Sequence, residues 1–209
     1  MRIIKKFIGA IFGLLFAMST AHAKDNGLGK DAQDFINSLS SQVAELNQNR
    51  SLDKITRQQK FMKLVERGFD LPWIAKFVVG RPWKTASPDQ QKEYLRLFKN
   101  LVELTYSKRF IDYSQQKIIV SGHKMGKRKF IFVESQLADP KNPKANVNIV
   151  WRLLPKGNSF KIVDVVIAGI SMAITQRNEY SAVIKRNNGS FESLLAAMKV
   201  QIKKLRSAP

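Results

Sequence analysis

The chain has 209 residues, with 36 Lys and Arg against 16 Asp and Glu, a formal net charge of +20 and no cysteine. That length supports one substantial domain whose core needs no covalent staples. Without cysteine there is no disulfide, no thiolate metal site and no cysteine nucleophile.

Arg2, Lys5 and Lys6 precede an apolar run over residues 7–18, and Ala21 and Ala23 then offer small residues on either side of His22. This order predicts a secretory signal peptide over residues 1–23, because the run is well short of the roughly 20 residues that span a bilayer. The mature chain then begins at Lys24 and forms a single domain over residues 24–209. Removing three basic and no acidic residues leaves 33 minus 16, or +17. An exported protein of that charge meets lipid head groups and acidic protein surfaces, so nucleic acid is not the expected partner.

Phe35, Leu39, Val43 and Leu46 recur at helical spacing and predict a helix over residues 31–47. A second helix over residues 52–69 places Ile55, Met62, Val65 and Phe69 on its inner face. Asp70 and Pro72 start a short helix carrying Trp73, Ile74, Phe77 and Val78, which Gly80 stops. Ser87, Pro88 and Gln90 make a capping box for a long helix to about residue 110, with Tyr94, Leu95, Phe98, Leu101, Val102 and Thr105 inward.

The period then changes. Residues 117–121, 129–136, 147–153 and 160–167 are short runs rich in Ile, Val and Phe, separated by turns with Gly122, Gly126, Pro140, Pro143 and Gly157. Such turns join neighbouring antiparallel strands, and a curved four-stranded sheet needs a cover on one face. A helix follows from about Ser171, ended by Asn187, Asn188 and Gly189. Ser190 caps a last helix with Phe191, Leu194, Leu195, Met198, Ile202 and Leu205 at helical spacing. The expected fold class is α+β: a helical layer over residues 28–112, a sheet over 115–168, and helices over 171–206 around an apolar cavity.

Catalytic and metal chemistry find little support. His123 is the one histidine beyond residue 23, assigned to a turn over residues 122–126, so no second imidazole can join it on a metal. Ser171 lacks the nucleophile-elbow setting and reads as a helix cap. Asp164 and Glu179 are not isolated as an acid and base pair, and no glycine-rich phosphate loop occurs. An enzyme is not expected, nor any cofactor.

Two blocks carry a family resemblance. One is Phe69-Asp70-Leu71 with Ala75, Gly80-Arg81, Trp83, Ala86-Ser87-Pro88, Gln90-Gln91, Phe98 and Thr105-Tyr106. The other is residues 147–151, Val163-Asp164-Val165, Gly169-Ile170-Ser171, Thr175-Gln176-Arg177 and Glu179-Tyr180. With the flanking helices, the sequence resembles the MlaC or toluene-tolerance family of periplasmic phospholipid-binding proteins of Gram-negative bacteria. The resemblance implies a soluble periplasmic shuttle that holds acyl chains between sheet and helices, with the head group largely outside, and a monomeric carrier is expected. It further implies exchange of lipid with an inner-membrane ABC transporter complex and an outer-membrane lipoprotein complex, without cofactor or catalysis. The chain departs from the family in its basicity and its lysine-rich loop over residues 124–129.

The candidate lipid-facing residues are Trp73, Phe77, Leu95, Phe98, Leu101 and Val102 on the helices. Opposite them stand Phe130, Phe132, Ile149, Trp151, Val163, Val165 and Ile167 on the sheet. Arg81, Lys84 and Arg177 are candidates for the vicinity of the head group. The alternative function is a basic periplasmic adaptor, with a filled core, that binds anionic membrane or acidic proteins.

Overall fold

A computed structural model describes residues 27–112, 116–140 and 142–207. The expected signal peptide lies outside the described residues. Six helices and a five-stranded antiparallel sheet follow one another along the chain, in the α+β class expected. The helices are α1 (Leu28–Gln48), α2 (Lys54–Gly68), α3 (Leu71–Val79), α4 (Pro88–Asp112), α5 (Met172–Arg186) and α6 (Phe191–Ser207). The strands are β1 (Lys117–Met125), β2 (Ile131–Ala138), β3 (Val147–Lys156), β4 (Ser159–Ile167) and β5 (Ile170–Ser171), lying side by side in chain order.

Side-chain caps set several helix starts. Asp53, Asp70 and Ser171 accept from the amides of Thr56, Trp73 and Ile174 at 2.9, 3.1 and 3.1 Å. At α4, Ser87 Oγ accepts from the Gln90 amide at 3.2 Å while Gln90 Oε1 accepts from the Ser87 amide at 3.1 Å. Each cap satisfies amides that the first helical turn leaves without an intrahelical partner.

Three expectations are corrected. A fifth strand exists, because the positive φ of Ala168 and Gly169, 49° and 83°, folds Ile170 and Ser171 back onto the end of β4. His123 lies within β1, which extends to Met125, rather than in a turn. Its Nδ1 is 2.9 Å from Gln33 Oε1, and its ring sits so close to Gly29 that a Cβ there would fall 2.1 Å from it, so His123 seats α1 on the sheet. Ile55 is 66% exposed rather than inward, in the first turn of an α2 that is buried only farther along at Met62 and Gly68.

The buried apolar side chains form two cores. One lies among α3, α4, α5 and α6, with Tyr94 at its centre: its ring meets Trp83, Phe98, Tyr180 and Phe191 at centroid distances of 6.1, 6.1, 6.2 and 5.8 Å. Its hydroxyl donates to the Ala75 carbonyl at 2.8 Å, so the buried phenol is satisfied. The other core lies between α1 and the sheet and contains Ala32, Ile36, Ile131, Val133, Leu153, Phe160 and Ile162.

A candidate lipid-binding seam between two cores

Strand register decides which residues share a wall, because successive side chains point to opposite faces. Val133 pairs with Trp151 and Trp151 with Val165, while Ser135 pairs with Ile149 and Ile149 with Ile167. These residues lie on the face that packs beneath α1. The Trp151 indole donates to Ser135 Oγ at 2.8 Å, fixing the ring on that face. Phe132 pairs instead with Arg152, and Arg152 with Asp164, on the opposite face. The Arg152 guanidinium lies 5.4 Å from the Phe132 ring and 5.8 Å from that of Phe130. The sheet residues named from sequence therefore do not form one wall: Phe130 and Phe132 stand behind it.

Val163 is a different case. Arg152 pairs with Asp164 and Leu153 with Ile162, so Val163 is the unmatched residue of a bulge and is fully buried. The bulge also delivers Asp164 to α5. Its carboxylate accepts from Ser171 Oγ at 2.7 Å and from the Ala173 amide at 3.0 Å, with Arg152 Nη1 at 3.6 Å. Nothing in the spacing of Asp164 within an apolar run signals this role. The one sequence feature that could have pointed to it is an acid within an apolar strand followed closely by a helix-capping serine.

On the helical side, Trp73 stacks on Phe77 at 5.4 Å with an interplanar angle of 6°, and the Arg177 guanidinium lies 5.1 Å from the Phe77 ring. Phe98 and Leu101 are buried in the helical core, whereas Phe77, Leu95 and Val102 are half-buried at its margin. Trp151 and Val165 are likewise half-buried at the margin of the sheet core, and Ile167 is 37% exposed. Arg81 and Lys84 are exposed on the turn after α3. Gly80, at φ 69°, brings its backbone against Arg177: a Cβ there would lie 3.2 Å from Nη2. Among the described residues no carboxylate or carbonyl accepts from the Arg177 guanidinium. Leu97, which the sequence reading left out, is almost fully buried in the helical core.

The two cores meet at a cavity of about 440 Å³ lined by Phe69 from the sheet core and Ala75, Leu95 and Phe98 from the helical core, with Leu71 and Pro72. Glu66, Arg96 and Lys99 stand at its rim, and Lys99 pairs with Glu66 at 2.9 Å. A second cavity, of about 500 Å³, lies between α1 and the β3–β4 turn. Asp31 and Asp34 face into it, which makes it a poor host for an anionic head group. No group of three His, Cys, Asp or Glu side chains among the described residues could hold a metal ion.

Comparison with known proteins bears on the family and the fold. The sequence profile of the MlaC protein family matches residues 33–200. The chain belongs to the MlaC family. A curated member, the intermembrane phospholipid transport system binding protein MlaC of Haemophilus influenzae, is 27% identical over 137 residues. That match takes in 62% of this chain and 63% of the Haemophilus protein, so a little over a third of that relative is unmatched. A solved structure of a phospholipid-binding protein from Ralstonia solanacearum, in complex with a phospholipid, superposes with a TM-score of 0.72. It shares 21% sequence identity, covering 85% of this chain and 99% of that one, and so shares the MlaC fold. No helix among the described residues is long and apolar enough to cross a membrane.

Proposed function

We propose that residues 24–209 form one periplasmic, monomeric carrier that holds a phospholipid in the seam between the two cores and moves it between membranes. The observation that carries this reading is the junction itself: a family member with two apolar cores whose facing margins stay half-covered. At about 30 Å³ per heavy atom, a cavity of about 440 Å³ admits roughly fifteen atoms, about one acyl chain. The second chain enters by parting the seam toward Val102 and Trp151.

Of the residues named from sequence, the wall then comprises Phe77, Leu95, Phe98, Leu101 and Val102 against Ile149, Trp151, Val165 and Ile167. Trp73 extends it through its stack on Phe77. Arg177 is the best placed of the three basic candidates for the phosphate, because an aromatic face and Gly80 hold its guanidinium with donors to spare. Arg81 and Lys84, exposed on the turn that follows Gly80, are the further candidates for the head group. Exchange with an inner-membrane ABC transporter complex and an outer-membrane lipoprotein complex completes the proposed cycle. No chemical step is required of the protein.

Organic extraction of detergent-free protein, followed by mass spectrometry, tests the proposal. Phospholipid in the wild type, its loss in Leu95→Gln and Val165→Asn, and its retention in Phe132→Gln on the other sheet face are the expected results. Empty wild-type protein that takes up nothing from liposomes would sink the reading. Equal loss in Phe132→Gln would show that the wall has been assigned to the wrong face.

A further inference from the structure

The β1–β2 connection is chemically the most unusual surface outside the seam. Lys124, Lys127, Arg128 and Lys129 occupy four of six consecutive positions, with no acid among them. Glu134 pairs with Lys124 at 2.6 Å, and among the described residues no carboxylate pairs with the other three, all of which are exposed. Edge lysines that guard a strand against pairing explain Lys117 and Lys124 on β1, but not cations at the tip.

The backbone adds a second, independent observation. Arg128 and Lys129 have φ of 56° and 65°, a left-handed conformation that glycine adopts freely and that residues with a Cβ adopt at a cost. The chain thus keeps long cations at two consecutive positions where glycine would serve the turn better. The turn is also held rigidly. The Gly126 amide donates to the Phe130 carbonyl at 2.7 Å, and Phe132 packs so tightly on Gly126 that a Cβ there would lie 2.4 Å from its ring. Phe130 and Phe132 remain half-buried beside the cations, under Arg152.

We infer that this basic, aromatic-backed turn docks the protein on the surface of an anionic lipid bilayer. Flexible cations without fixed acceptors suit a smeared negative potential, and the adjoining phenyl rings suit the interfacial zone just beneath it. An acidic protein would match the charges but would leave the aromatic backing without a role. Each Lys or Arg near such a surface adds about fivefold to partitioning, so three unpaired cations add roughly 100-fold, less as salt rises. The site is distinct from the lipid seam, and docking is read independently of cargo.

The test is cosedimentation of the full mature chain with vesicles of phosphatidylcholine, with and without one-third phosphatidylglycerol, at low and physiological salt. Binding should require phosphatidylglycerol and fall about 100-fold in Lys127→Gln/Arg128→Gln/Lys129→Gln. It should fall far less in a control that removes the same charge from α6, Lys203→Gln/Lys204→Gln/Arg206→Gln. Arg128→Gly/Lys129→Gly should lose about 25-fold in binding while melting at a higher temperature, because relief of backbone strain and loss of charge then pull apart. Equal losses in the turn and α6 variants would reduce the effect to net charge and overturn the inference. So would a turn variant that still binds vesicles but no longer binds soluble polyglutamate, which would mark an acidic-protein site instead.

Discussion

Replacing Asp164 with Ala tests the fastening of sheet to helices. The carboxylate is 4% exposed and accepts from Ser171 Oγ and the Ala173 amide while facing the Arg152 guanidinium. Hydrogen bonds to a charged acceptor are worth about 1.5–3 kcal/mol each, and stripping one partner from a buried ion pair costs about 3–5 kcal/mol. These figures overlap because they describe one carboxylate. The Arg152 side chain is 26% exposed and can recover some hydration, so a loss of about 3 kcal/mol is expected for Asp164→Ala.

Urea denaturation at neutral pH reads this directly. With a slope of about 2 kcal/mol per molar urea, the midpoint should fall by roughly 1.5 M without a change of slope. Among the described residues the buried Nε of Arg152 has no hydrogen-bond partner even in the wild type, so Asp164→Ala/Arg152→Met should regain part of the loss, about 1 kcal/mol or more. A loss under about 1 kcal/mol, or strictly additive single changes, would refute the view that Asp164 joins β4 to α5 as a buried charge.

Tyr94→Phe should cost about 1 kcal/mol by removing the buried hydrogen bond that the phenol adds to the Ala75 carbonyl, which keeps its helical partner, read as a lowered melting temperature. Burial pushes the phenols of both Tyr94 and Tyr180 above their ordinary range. A group whose folded pKa is raised adds stability that is complete below its unfolded value near 10 and is lost as pH rises further. Alkaline titration should therefore show these two phenols ionising only as the protein unfolds. Glu93, beside Arg96 at 2.7 Å and Lys199 at 3.4 Å, is pulled down to about 2 by those cations, chiefly by its hydrogen bond from Arg96. Its contribution is complete above the unfolded value and fades as pH falls through about 2; Glu93→Gln should thus melt slightly below wild type at neutral pH and match it near pH 2, and a constant gap would refute the assignment.

Most of the fold was legible because local chemistry and tertiary contacts agree in it. Asp70, Ser87, Ser171 and Ser190 mark helix starts by capping chemistry that acts within four residues, and the apolar spacing of α4 and α6 follows one helical face. The sheet faces were harder, because alternation holds only while register does. Bulges between Val120 and Gly122 and at Val163 each shift the parity, so counting by twos from Ile118 or Ile162 gives the wrong face beyond them. Phe132 was named as lipid-facing from its apolar character alone; what places it on the other face is its direct pairing with Arg152 on the neighbouring strand, a partner no local pattern contains. The division of the apolar residues into two cores was equally hidden, since α1 and α4 carry similar patterns yet pack on different partners.

That division constrains how a lipid could enter. Roughly thirty methylenes of a diacyl lipid represent about 24 kcal/mol of burial that a bilayer already provides, so a carrier must replace nearly all of it. On the proposed reading, the cavity at the junction would cover about half, and the half-buried side chains along the seam would offer the rest only if the cores separate. The bonds that tie them are made from the middle of β4. The Asp70 amide donates to the Ile162 carbonyl at 3.0 Å, and Lys161 Nζ donates to the carbonyls of Glu66 and Arg67 at 3.0 and 2.6 Å. Farther along, Asp164 holds Ser171 and Ala173. The Lys161 clasp closes the C-terminal end of α2 over the strand beside the cavity mouth, and it is exposed, so its removal loosens the seam without emptying a core. Lys161→Met should therefore cost under about 1 kcal/mol in stability while raising the rate of fluorescent phospholipid uptake from liposomes several-fold. An unchanged uptake rate in a normally stable variant would mean that the seam opens elsewhere, and the Asp164 tie to α5 would then be the remaining hinge.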